Sequence, residues 1–304
     1  MKFELTILGS SSATPIYNRN PTAQLLNINE KFYLIDCGEG TQQQLLRFNC
    51  KFQKIDHIFI SHLHGDHYLG LVGLISSMNL NGRRKALKLF GPPELKEIID
   101  LQLKHSLTTL RFSLEFKPSS ADQFITLFEN QDVLVETIPL NHRIACTGFK
   151  FTLKKRLPKI RMDKVEALQI PPEQRQLIKK GFPFTDSSGN VHQPEDLTLP
   201  ADEEKSYAYC SDTICDWSYL DQIKGVNLLY HESTFMHDML ARTEETYHTT
   251  ALQAGEIGKR GAVKKLLIGH FSARYRDLDP LLEEARSVFP NTELAIEGQK
   301  FEII

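Results

Sequence analysis

The stretch "IDHIFISHLHGDH", residues 55–67, limits the possible folds more than any other part of the chain. Its first half is a short apolar run that reads as a buried strand. Directly after it, three histidines and an aspartate (His62, His64, Asp66 and His67) occupy six positions. A loop leaving a buried strand can aim His62 and His64 at one point and Asp66 and His67 at a neighbouring one. Imidazole with some carboxylate suits zinc, and manganese, iron and cobalt accept similar ligands. Each point still lacks ligands, so the fold must bring other segments to the same strand edge. Three residues qualify: His142 after "VETIPLN", Asp212 after "YAYCS" and His270 after "KLLIG". Each closes a strand-like apolar run. Any one of them alone reads as a polar residue capping a strand end. Together with the cluster they read as ligands of a site built along one edge of a sheet.

The rest of the 304 residues fits such a sheet. "KFELTILG", "AQLLNINEKFYLIDCG" (two runs around a polar turn), "ALKLFGP", "FITLF", "DVLVETIPL" and "TGFKFTL" are strand signals; "TQQQLLRF", "YLGLVGLISSM" and "PELKEIIDLQLKHS" have helical spacing. The second half alternates strands ("SYAYCSD", "VNLLYHES", "KKLLIGHF", "TELAI") with helices ("SYLDQI", "HTTALQAGEIGKRG", "PLLEEARSVF"). Two layers of sheet with helices outside satisfy both halves. The opening "MKFELTILGS" is strand-like rather than a leader peptide, and no apolar run reaches the roughly 20 residues of a membrane helix. The five cysteines form no CxxC pair, so reduced thiols in a cytoplasmic protein are expected.

Between residues 155 and 205 the strand signals thin out, with "RMDKVEALQI" as one helical piece and room for a short hairpin further on. The net charge of the chain is −2, yet residues 150–181 hold ten Lys/Arg against three acids. That window carries +7 and the remainder −9, a local basic feature on an otherwise acidic body.

The motif "SHLHGDHYLGL" resembles the signature of the metallo-β-lactamase superfamily. "ILGSSSATPIYNRNPTAQLL", "YLIDCGEGTQQQLLR", "YCSDT", "HESTF", "HTTALQAGEIGKRG" and "GHFSARY" are similar, in order and spacing, to the short form of the ribonuclease Z family. The resemblance covers nearly the whole chain. It implies a four-layered αβ/βα sandwich of α/β class, a single domain over 1–304 with a flexible arm, or exosite, inserted at about 151–200. It implies two Zn²⁺ per subunit: His62, His64 and His142 for one, Asp66, His67 and His270 for the other, and Asp212 bridging. The implied activity is endonucleolytic cleavage of precursor tRNA on the 3′ side of the discriminator nucleotide, by a homodimer, with one subunit's arm reaching RNA held by the other.

For catalysis, Asp66 can hold metal and accept a hydrogen bond from the attacking water. His248, at the start of "HTTALQAG", is the candidate acid, and Glu232 in "HEST" can hold its ring in the protonated form. Asp36, at the end of "FYLIDCGEG", is expected to orient a ligand or shape its turn. Beside His270, Arg274 suits a phosphate and Tyr275 a base. In "TPIYNRN", Pro15, Arg19 and Asn20 match the family's Pro-x-Lys-x-Arg-Asn loop, while Tyr17 stands where Lys is usual. Lys154, Lys155 and Arg156 begin the basic arm, whose "IPPEQ" lacks the family's Gly-Pro pair. His57, His105, His192 and His237 have no motif around them. Two other enzyme-fold readings compete, a small-molecule ester hydrolase and an RNA binder that has lost catalysis. The basic arm argues against the first, and the intact ligand set against the second. A purely structural zinc site would be closed, four-ligand and often Cys-rich, unlike this one.

Overall fold

The computed structural model describes residues 2–201 and 203–304. The chain separates into two compact units, one of residues 1–129, 134–152 and 205–304 and one of residues 130–133 and 153–204.

The larger unit holds two seven-stranded sheets. The first contains β1 (Phe3–Gly9), β2 (Ala23–Ile28), β3 (Lys31–Ile35), β4 (Ile55–Phe59), β5 (Leu87–Gly91) and β6 (Leu114–Pro118), in spatial order, with a late strand added outside β1. The second contains β7 (Thr126–Glu129), β8 (Val133–Leu140) and β9 (Cys146–Leu153), followed across the sheet by β12 (Lys205–Cys210), β13 (Leu228–Glu232), β14 (Leu266–Gly269) and β15 (Thr292–Leu294). The late strand of the first sheet is β16 (Lys300–Glu302). Strands β3 to β6 run parallel, as do β12 to β15. Parallel pairing puts successive carboxyl ends on one edge, and connections there are free to carry chemistry.

The sheets face each other through aromatic packing. The Phe59 ring lies 5.5 Å from Phe149 and 5.2 Å from Phe151, and the Tyr207 hydroxyl donates to Gln24 across the gap. Outside the first sheet, the helices Leu71–Leu80 and Glu94–His105 bury Leu74, Ile75, Leu95 and Ile99 with Leu34, Ile58 and Leu89. Outside the second, Ala251–Arg260 and Asp279–Val288 bury Ala254, Ile257, Leu281 and Ala285 with Leu229, Leu266 and Ile268. Helix, sheet, sheet and helix make the four-layered αβ/βα sandwich that the sequence led us to expect.

Some details differ from the sequence reading. The expected helix "YLGLVGLISSM" is interrupted: Gly65–Tyr68 forms one turn and Leu71–Leu80 a second helix. Gly70 sits at the junction because a Cβ there would lie 2.2 Å from the Gly38 carbonyl oxygen. That contact packs the histidine segment onto the turn after β3, where the Cys37 amide donates to the His67 carbonyl at 2.7 Å. His248 does not begin a helix. The helix starts at Ala251, capped by Thr250 with a reciprocal bond from Gln253, and His248 precedes it.

The smaller unit pairs β10 (Phe184–Thr185) with β11 (Val191–His192) and adds the helices Met162–Ala167, Pro172–Lys179 and Pro194–Leu197. Val165, Ile170, Ile178, Phe184 and Leu197 form its own small apolar cluster. Among the described residues, no helix is long and apolar enough to cross a membrane, and all five cysteines are free.

Candidate metal centre

The residues singled out at strand ends converge. The side-chain ligand atoms of His62, His64, His142 and Asp212 all lie within 4.8 Å of one another, as do those of Asp66, His67 and His270. In the first set His62 Nε2 is 3.1 Å and His142 Nε2 3.2 Å from His64 Nδ1. In the second, His67 Nε2 is 3.5 Å and His270 Nε2 3.4 Å from Asp66 Oδ2. Asp212 faces both. Its Oδ2 is 3.5 Å from His62 Nε2 and 3.8 Å from His142 Nε2, while its Oδ1 is 3.3 Å from His67 Nε2 and 3.1 Å from His270 Nε2.

The backbone is bent to achieve this. Asp36, Asp212 and His270 all adopt left-handed φ values of 54–58°, each immediately or one residue after a strand end. Such conformations are costly for residues other than glycine and cluster at functional sites. Here the bend turns the side chain off the strand line and into the cleft.

Four of the five donor rings are fixed from behind. Asp36 Oδ2 lies 2.7 Å from His67 Nδ1, and the same carboxylate accepts from the Ser61 amide (2.7 Å), the Ser61 hydroxyl (2.9 Å) and the Tyr209 hydroxyl (2.6 Å). His142 Nδ1 lies 3.0 Å from the Tyr247 carbonyl, His270 Nδ1 3.0 Å from Thr234 Oγ1, and His62 Nδ1 3.0 Å from Ser61 Oγ. These bonds leave Nε2 of His62, His67, His142 and His270 as the inward atom, whereas His64 presents Nδ1.

The donor set fits metal cations. Among the described residues His67 Nε2 is buried without a hydrogen-bond partner, yet it points at two carboxylates. Burial opposes charge on both Asp212 and His67, but His270, followed by His67 and His62, holds Asp212 well below the usual carboxylate range, and Asp212, followed by Asp66 and Asp36, holds His67 well above the usual imidazole range. His62 is pushed well below its ordinary value, first by burial and then by the neighbouring His67. Six lone-pair-bearing groups and a two-faced carboxylate, with four of the rings locked by outer hydrogen bonds, are what hard-to-borderline divalent metals need.

The sequence and the fold can be set beside known proteins. A ribonuclease Z of Bacteroides fragilis (strain YCH46) is 46% identical over 297 residues, covering 98% of each chain. The chain belongs to the ribonuclease Z family. Ribonuclease Z enzymes are metal-dependent endoribonucleases, which makes the chain a hydrolase of that class. It also falls within the sequence family described as Anti-Pycsar protein Apyc1, whose profile matches residues 3–272. Its backbone is similar to that of the short form of human tRNase Z (TM-score 0.71, 23% identity, 99% of each chain). It is also similar to the metallo-beta-lactamase fold protein YhfI from Bacillus subtilis (TM-score 0.69, 19% identity, 99% of this chain and 98% of that one). These likenesses show the fold.

Beside this centre of the ribonuclease Z chain stand the other residues named from the sequence. Glu232 Oε1 is 2.9 Å from His248 Nδ1 and also accepts from the Thr213 amide at 2.7 Å; Oε2 accepts from Thr234 Oγ1 (2.5 Å) and the Thr249 amide (3.1 Å). Burial works against a charged His248, but Glu232 outweighs it and the ring is raised to about 9. His248, Asp66, Asp212 and His270 line one cavity of about 310 Å³. Arg19, Arg274 and Tyr275 do not line it. Arg19 is turned inward, only 9% exposed, and its Nη2 donates to the Tyr275 carbonyl at 2.7 Å, so it braces the chain rather than offering a free cation. The Tyr275 hydroxyl accepts from the Met236 amide at 3.0 Å, while Arg274 is exposed. In the smaller unit Arg156 pairs with Asp132 at 2.8 Å, and Lys155 is exposed.

Sequence reasoning missed Arg143. It lines the cavity, is exposed, and among the described residues has no ion-pair partner. The signal was present in "NHR", where it directly follows a ligand candidate. Ser12 and Ala13 also line the cavity, and the Ala13 amide donates to Asp66 Oδ2 at 2.7 Å.

Proposed function

We propose that this chain is a zinc-dependent endoribonuclease that removes the 3′ trailer of precursor tRNA, cutting on the 3′ side of the discriminator nucleotide. The observation that carries the reading is Asp212, whose two oxygens face separate donor sets. His62, His64 and His142 would hold one Zn²⁺, Asp66, His67 and His270 a second, with Asp212 between them; Mn²⁺ is an alternative occupant. Bound there, two divalent ions supply Lewis-acid stabilisation of a phosphoryl oxygen and lower the pKa of a water.

The chain's own residues do the rest. Asp66, held by the Ala13 amide, accepts a hydrogen bond from the attacking water and orients it towards phosphorus. His248, kept protonated by Glu232, gives its Nε2 proton to the departing oxygen as the P–O bond breaks, so the leaving group departs neutral. Glu232 stays ionised, because it also accepts from two backbone amides and a hydroxyl. Arg143, at the cavity wall, suits a non-bridging phosphate oxygen.

We read residues 151–200 as a flexible arm inserted in one metallo-β-lactamase domain. Its charge of +7 over residues 150–181 supports a grip on tRNA phosphates away from the cut. Lys154, Lys155 and Arg156 belong to that grip. The family resemblance supports a cytoplasmic homodimer in which the arm of one subunit serves the other.

The test is cleavage of 5′-labelled precursor tRNA by metal-loaded wild type and Asp212→Ala, with metal content measured alongside. One cut after the discriminator base and two ions per chain, both lost in the variant, is the expected result. Hydrolysis of bis(p-nitrophenyl) phosphate without any cut in RNA would leave the centre standing and transfer the assignment to a small-molecule phosphodiesterase.

A further inference from the structure

The loop from Ser10 to Pro21 is braced along its length. The Ser10 and Ser11 amides both donate to the Asn20 carbonyl, the Ser12 amide donates to the Phe271 carbonyl, and the Glu297 carboxylate accepts from the amides of Ser10 (3.3 Å) and Asn20 (2.5 Å). Arg19 ties it to the Tyr275 carbonyl. Its tip is a two-residue hairpin: Ile16 and Arg19 exchange backbone hydrogen bonds at 3.0 and 2.8 Å, with Tyr17 and Asn18 at φ 52° and 62°.

Such a turn needs positive φ at both central positions, and Asn-Gly is its natural filling. Asn18 fits this demand, but Tyr17 does not. A bulky ring in the left-handed region is strained, and a cheaper residue would serve the turn better. Nor does the ring repay the strain by burial, since Tyr17 is 46% exposed. Its neighbours are the guanidinium groups of Arg19 and Arg276, 5.5 and 5.9 Å from the ring centroid. At those distances neither covers the ring as Arg260 covers Trp217, at 4.0 Å. Arg276 is exposed and, among the described residues, has no ion-pair partner.

An exposed aromatic face on a rigid support, beside a free cation, is the chemistry that recognises an unpaired base and its phosphate. The same loop reaches the reaction: Ala13, four residues earlier, lines the cavity and holds Asp66, so Tyr17 is within roughly 14 Å of Ala13 along the chain. We propose that Tyr17 is a stacking platform for an unpaired nucleobase flanking the scissile phosphate, with Arg276 pairing a neighbouring backbone phosphate. This rests on the RNA reading given above.

The test compares metal-loaded wild type, Tyr17→Phe and Tyr17→Asn on precursor tRNA carrying 2-aminopurine at the unpaired positions beside the cut. Asparagine tolerates the left-handed region, so Tyr17→Asn relaxes the turn, and its Tm is the check that folding is intact. Tyr17→Phe keeps the ring and should hold KM within about twofold. Tyr17→Asn should raise KM about tenfold, with kcat little changed, and should abolish the stopped-flow quench of 2-aminopurine that precedes cleavage. Wild-type KM and quench in Tyr17→Asn would overturn the proposal. A fall in kcat at constant KM would also overturn it, because the turn would then serve only to seat Ala13 on Asp66. A loss in Tyr17→Phe as large as in Tyr17→Asn would assign the effect to the hydroxyl and likewise sink stacking. If wild type cuts the control ester but no RNA, the RNA reading falls and the platform with it.

Discussion

On the proposed function, the strand-end centre and the basic unit solve opposite problems. In the centre four of the five imidazoles have one nitrogen committed to an outer partner and one left for the site, and Asp36, Asp212 and His270 accept strained backbone to point inwards. In the basic unit the apolar support is five buried side chains, and the lysines and arginines stand in solvent or half in it. Chemistry at phosphorus needs donors placed to a fraction of an ångström, whereas gripping a polyanion needs only charge within reach. The first demand is met by burial and second hydrogen bonds, the second by exposure.

Glu232 carries the largest expected effect. Glu232→Gln keeps the shape but removes the charge that favours protonated His248. We expect kcat on precursor tRNA to fall at least about a hundredfold, with KM little moved and metal content retained. Loss of metal in this variant would mean that Glu232 supports the cradle through Thr234 and His270 rather than the acid. The basic unit should answer in the opposite way. Replacing Lys154, Lys155 and Arg156 together by Ala should raise KM for precursor tRNA about tenfold and flatten its salt dependence, since every phosphate no longer neutralised takes a little under one off the log–log slope. A change confined to kcat would make those cations structural, as the Arg156–Asp132 pair already suggests for one of them.

Much of the centre was legible because its residue types are rare and each sits where an apolar run stops. His142, Asp212 and His270 could be picked out by that rule once the His62–His67 cluster stood beside them. Part of what stayed hidden depends on contacts between distant segments, and part on weak or misleading local signals. Arg19 matched a motif position, but its partner is a carbonyl more than 250 residues away. The strand β6, "LEFKP", is half exposed and carries charges, so it lacks the apolar signal of the buried strands. The helix Pro172–Lys179, not among the helices read from the sequence, opens on two prolines, and proline is well suited to a first helical turn. His248 lies before its helix because Thr250, with Gln253 three residues on, takes the cap.

His57 gives the comparison its smallest and most selective test, because it is a histidine of the body with no outer partner. Among the described residues both ring nitrogens are buried without hydrogen bonds, and the ring lies 4.9 Å from Tyr33 and 4.5 Å from Phe128. Burial, with Lys88 nearby, lowers it to about 4. The unfolded chain therefore binds a proton that the folded one refuses between about pH 6.5 and 4, so stability falls as pH falls through that window. The full loss is about 3 kcal/mol, complete near pH 4 and absent at pH 7. His57→Phe keeps the stacking and removes the titration. Urea midpoints of the two proteins should agree within error at pH 7, and the variant should lead by a widening margin on acidification. Acid inactivation of the metal centre affects both alike and cancels in the difference. Parallel decline of both midpoints would mean that the His57 ring is protonated in the fold as readily as outside it, and that its neutrality is no part of how the two sheets are held.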